Sequence, residues 1–71
     1  MTDSAAAPGH GYSYRFSRPG GDELETHAFA SDDDADLHAR RLSRAENTPV
    51  LIHRLHGNVD WEYVTEADDR P

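Results

Sequence analysis

Cysteine is absent from the 71 residues. That excludes disulfides and thiolate metal sites. Lysine is absent as well, so all seven basic residues are arginine. No apolar stretch approaches the roughly 20 residues needed to span a bilayer. The N-terminus has no basic segment followed by an apolar one, so no signal peptide is expected. The expectation is a cytoplasmic protein with no membrane partner. The chain also lacks a glycine-rich phosphate loop and a Gly-x-Ser-x-Gly elbow. No local grouping of serine, histidine and aspartate forms a recognised catalytic motif. The reading is therefore of a non-enzyme, with no catalytic residues and no cofactor.

What is present is short. Met1 to Gly11 is rich in alanine, glycine, serine and proline, with little to bury. Residues 1–11 and 67–71 read as disordered tails, leaving a single domain over 12–66. A domain of that size buries only about 60% of its unfolded surface, so it is marginal alone. Without cysteine, its remaining supports are a histidine metal site, a partner chain or an economical core.

Turn signals divide the domain. Tyr12 to Arg18 alternates, with Tyr12, Tyr14 and Phe16 on one face and Ser13, Arg15 and Ser17 on the other. That period of two predicts a half-buried strand. Pro19-Gly20-Gly21-Asp22 is a turn. Glu23 to Ala30 is the return strand, with the Leu24, Thr26, Ala28 face toward the core and a bulge near His27 to accommodate Phe29. Ser31 is an N-cap, with Asp34 three residues on. Asp32, Asp33 and Asp34 suit the positive end of a helix dipole; Arg40, Arg41 and Arg44 suit its negative end. Asp36 and Arg40 form an i,i+4 pair. The helix is expected from Asp32 to Ala45, ahead of Asn47-Thr48-Pro49. Its apolar face is Ala35, His38, Ala39, Leu42 and Ala45.

Val50 to His56 is a strand, Gly57-Asn58 a two-residue turn of type II′ geometry and Val59 to Thr65 the last strand. That turn sets His56 opposite Val59, Arg54 opposite Trp61, His53 opposite Glu62 and Ile52 opposite Tyr63. The result would be a stacked Arg54–Trp61 pair and a His53–Glu62 charge pair. The fold class is α+β: ββαββ, an antiparallel sheet of two hairpins with one helix packed on one face.

The formal net charge is −7, which argues against nucleic acid or anionic membranes as partners. The charge lies in blocks. Seven acids occupy 22–36, and five occupy 60–69. Between them Arg40, Arg41, Arg44 and Arg54 face only Glu46. These four arginines are what a nucleic-acid-binding alternative would use. Five histidines are present. Of these, His53 and His56 are three apart on a strand and point to opposite faces, so they cannot chelate together. His27 and His53 could meet only on neighbouring strands. A histidine metal site is a second alternative, with no ligand set assigned.

The leading reading is a small interaction or regulatory module that self-associates or binds another protein. Val50 to His56 is apolar on both parities, with Val50 and Ile52 on one side and Leu51 and Leu55 on the other. A strand with one wet face alternates instead. A single helix cannot cover both faces, so a partner is expected on the second. Arg54, Trp61 and Tyr63 are residue types enriched at interface hot spots. Leu37, Arg41 and Arg44 form an exposed patch on the helix. The candidate partner-binding residues are Leu37, Arg41, Arg44, Leu51, Arg54, Leu55, Trp61 and Tyr63.

Overall fold

Four strands and one helix follow one another as β1 (Tyr12–Ser17), β2 (Glu23–Phe29), α1 (Asp32–Glu46), β3 (Val50–His56) and β4 (Asp60–Ala67). The structure is a computed structural model that describes residues 11–70. Of the expected tails, residues 1–10 and 71 lie outside the described residues. The strands form one open sheet in the order β2-β1-β3-β4. Every neighbouring pair is antiparallel, so β2 and β3 run parallel with β1 inserted between them. The α+β, ββαββ reading holds, and the helix covers one face of the sheet.

The first turn is closed by Gly21 N–H on the Arg18 carbonyl and Arg18 N–H on the Asp22 carbonyl, both at 2.8 Å. Gly21 takes φ +104°, a region that penalises any Cβ. The helix starts where its cap predicts: Ser31 is extended, and its Oγ accepts the Asp34 N–H at 3.2 Å. Replacing Ser31 with alanine is expected to cost about 1 kcal/mol in chemical denaturation, and replacing it with glycine only a few tenths. The Asp36–Arg40 pair forms at 2.9 Å. At the other end Asn47 adopts the left-handed conformation, and its N–H reaches the Ser43 carbonyl. The helix runs one residue past the expected end.

The core lies between α1 and the sheet: Tyr14, Phe16, Ala35, Ala39, Leu42, Val50, Ile52 and Ala67. Alanines on the inner side let the helix lie close to the sheet. That face is rotated from the expected one. Ser43 is fully buried and Ala45 is exposed; the buried Ser43 Oγ is satisfied by accepting the Asp69 N–H at 3.0 Å. That bond, with Arg44–Asp69 at 3.0 Å, also holds a segment expected to be tail. Ala67 ends β4 inside the core instead of opening that tail.

The expected β3–β4 register is displaced. Val59 joins Gly57 and Asn58 in a three-residue turn, so His56 pairs with Asp60, Leu55 with Trp61, Arg54 with Glu62 and His53 with Tyr63. One added residue shifts every partner. A bulge between Ile52 and His53 then leaves Val64 as an extra residue, and Ile52 pairs with Thr65. Val64 packs against the core. A second bulge, opposite Phe16 and Ser17, does the same for Leu24. It lies at the start of β2, not near His27. Beyond it, Glu25, His27 and Phe29 face the helix, and Thr26 and Ala28 face away. Leu24 thus reaches the core as expected, but the bulge turns the rest of the strand over, so Thr26 and Ala28 do not.

Candidate functional site

The helix covers only one side of the sheet, and the sequence decides what the other side shows. Period-two alternation places Arg15 of β1, Leu51, His53 and Leu55 of β3, and Trp61 and Tyr63 of β4 on the open face. Leu51, Leu55 and Trp61 are half-buried, and Tyr63 is 57% exposed. His53 packs edge-on against Tyr63, with ring centroids 5.6 Å apart. The Arg15 guanidinium lies 4.3 Å from the centre of the Trp61 ring, a cation–π contact. Glu23 Oε1 stands 3.7 Å from Arg15 Nε, which is shut from solvent without a hydrogen-bond partner. By register, Glu23 and Glu66 are the acids of this face, both on edge strands.

The eight candidate partner-binding residues separate into three places. Leu51, Leu55, Trp61 and Tyr63 are brought together on the open face. Leu37, Arg41 and Arg44 lie on the exposed surface of α1, across the molecule from them. Arg54 belongs to neither surface. It lies on the helix side of β3, where it donates to Asp32 Oδ1 at 3.1 Å and Glu62 Oε1 at 3.2 Å. It also sits 5.2 Å from the Tyr12 ring centre. The stacked Arg54–Trp61 pair is therefore replaced by Arg15–Trp61, and the His53–Glu62 pair by Arg54–Glu62. The three-residue turn is the cause of both changes.

The same Asp32 carboxylate accepts the Tyr14 hydroxyl at 2.6 Å. Burial, reinforced by that hydrogen bond, pushes the Tyr14 phenol up to about 12. Asp32 thus does more than favour the helix dipole: it ties the helix N-terminus to the two central strands.

A second grouping on the helix side was not legible in the sequence. Glu25 and His27 are two apart on β2 and share a face; His38 comes from α1. His38 Nε2 and His27 Nε2 both donate to Glu25 Oε1, at 2.7 Å and 3.0 Å. The His38 hydrogen bond, with that from His27, holds the Glu25 carboxyl below its ordinary range against the effect of burial. His38 is wedged against Phe16 and Phe29, with ring centroids 5.1 Å and 5.2 Å away. The i,i+2 spacing of Glu25 and His27 was the available signal, but the Leu24-face reading turned it toward solvent. His27 and His53 do not meet, since β1 separates their strands and they occupy opposite faces.

No protein-family model matches this chain, and no curated protein or solved structure is significantly similar to it. No helix among the described residues is long and apolar enough to cross a membrane.

Proposed function

We propose that this protein is a small, non-enzymatic interaction module that pairs with a second copy of itself through the open face of its sheet. The observation carrying this reading is that Leu51, Leu55, Trp61 and Tyr63 share one face that no element of the described chain covers. Charge supports a second copy there rather than elsewhere. The aspartates of the first helical turn, Glu25, Asp60 and Glu62 all lie on the helix side, where two like-charged copies repel. The open face is poor in acids, and its edge-strand glutamates sit at the rim. An aromatic and aliphatic centre with a polar rim is the usual anatomy of an interface. A two-fold axis lying parallel to the open face, just above β3 and β4, would set the patch against itself. The absence of phosphate-loop and nucleophile-elbow motifs supports a role without catalysis.

Sedimentation velocity at high micromolar concentration tests the reading. The wild-type chain is expected to sediment as a dimer and Tyr63→Asp as a monomer that keeps its far-ultraviolet circular dichroism. Leu37→Asp, on the helix surface, is expected to leave the dimer intact. A wild-type chain that stays monomeric, or a dimer lost in Leu37→Asp but kept in Tyr63→Asp, would overturn it.

Nucleic-acid binding has less support. Of the four arginines it would use, Arg41 is exposed, but Arg40, Arg44 and Arg54 are each engaged by a carboxylate at 2.9–3.1 Å. A phosphate would have to displace those partners from a chain of net negative charge.

A further inference from the structure

We infer that Glu25, His27 and His38 form a binding site for a divalent transition-metal ion, with zinc as the fitting species. The site is on the helix side of the sheet, so the inference stands independently of the open-face interface. Its donors are two imidazole nitrogens and one carboxylate oxygen, all lying within 4.8 Å of one another. Metal–ligand bonds of about 2.0–2.1 Å in a tetrahedral zinc site place ligand atoms about 3.3–3.4 Å apart. Here the two imidazole-to-carboxylate separations are 2.7 Å and 3.0 Å. An ion therefore needs those two separations to widen by about 0.3–0.7 Å, and the two imidazole nitrogens already lie within 4.8 Å of each other.

Donor chemistry selects the class of ion. Calcium and magnesium demand shells of oxygen, which two imidazoles do not supply. Imidazole with carboxylate suits zinc, and also cobalt, nickel and copper. Three protein ligands leave a fourth position for water. The pre-existing hydrogen bonds aim both Nε2 atoms at one point. On ligation each Nε2 presents its lone pair instead of its proton, and the ring's remaining proton sits on Nδ1. The site is partly built in advance, because Phe16 and Phe29 pin the His38 ring. Glu25 and His27 are on the same face of an ordered strand.

The location gives the ion a physical role. β2 is an edge strand, and of its helix-facing residues Glu25, His27 and Phe29 only Phe29 is apolar. An ion shared by β2 and α1 would clip that edge to the helix in a chain with no cysteine. Any ligand that binds the folded state in preference to the unfolded one raises its stability.

Isothermal titration of the purified chain with zinc chloride, followed by thermal melts with and without zinc, tests the site. Wild type is expected to bind one zinc ion per chain saturably and to melt at higher temperature with zinc present. His27→Ala and Glu25→Gln, which alter partly exposed side chains on an edge strand, are expected to stay folded and lose both effects. The His53→Ala/His56→Ala double variant keeps both expected effects, because those residues lie outside the cluster. Cobalt substituted for zinc should give the visible absorption of a four-coordinate ion in wild type but not in His27→Ala. Absence of saturable zinc binding would overturn the site. So would binding unchanged in His27→Ala, or binding lost only in the His53→Ala/His56→Ala variant.

Discussion

Replacing Phe16 with alanine is expected to abolish the cooperative fold. Phe16 is fully buried on β1, one of the two central strands. It lies between Glu25 of β2 and Ile52 of β3 in the register, under the rings of Phe29 at 6.0 Å and His38 at 5.1 Å. Truncating a core phenylalanine costs about 3–5 kcal/mol, as lost transfer energy plus the cavity left behind. Domains hold about 0.05–0.15 kcal/mol per residue, so some 60 residues provide about 3–9 kcal/mol in total. The loss is thus comparable with the whole stability. Circular-dichroism melts should show a broad, non-cooperative change for Phe16→Ala and a retained transition for Phe16→Leu. Val59→Ala, at the exposed β3–β4 turn, should move stability by no more than about 0.5 kcal/mol. If Phe16→Ala melts as cooperatively as Val59→Ala, the core does not sit where the structure puts it.

Replacing Asp32 with alanine is expected to cost about 1–3 kcal/mol, because the buried Tyr14 hydroxyl loses its acceptor. Three aspartates occupy the first turn of α1, and the helix dipole alone favours all three to similar, small extents. Asp32 differs in its tertiary partners, taking the Tyr14 hydroxyl at 2.6 Å and Arg54 at 3.1 Å. Asp33→Ala, on the exposed side of the same turn, is the matched control. Urea denaturation should show Asp32→Ala well below wild type and Asp33→Ala close to it; equal losses would leave only the dipole. Tyr14→Phe should cost less than Asp32→Ala, since the carboxylate keeps Arg54. The double variant should cost less than the sum of the two, since they share one bond.

The pH dependence of that bond has a definite sign. Burial, and then the Asp32 hydrogen bond, raise the Tyr14 pKa from 10.0 to about 12. A raised value means that the protonated phenol is the form the fold favours. Its contribution is complete below pH 10 and is lost as pH rises through about 12. In Asp32→Ala, tyrosinate absorbance should show the Tyr14 value falling toward the ordinary one while burial keeps it raised.

Much of the candidate surface was legible because its signal is local. The apolar residues of both parities in Val50 to His56 mark a strand with a second face to account for. Leu51, Leu55, Trp61 and Tyr63 do share that face. Arg54 shares the parity of Val50 and Ile52 and so belongs to the helix side; the length of the Gly57 turn decides only that Glu62, not Trp61, lies opposite it. Arg15 was missed as the partner of Trp61 for the same reason. The Glu25-His27-His38 grouping was hidden by a bulge at Leu24, which reverses the faces of β2 without any change in composition.

By itself the sequence determined the order of the elements, the Ser31 cap, the α+β class and the surplus of apolar residues on β3. These depend on alternation, capping and turn chemistry, which act over a few residues. Only the tertiary structure decided that β1 lies between β2 and β3, that both hairpins are bulged, and that Asp32 reaches Tyr14 and Arg54. Those outcomes depend on which distant residues meet, and a one-residue change in a turn or strand alters them all.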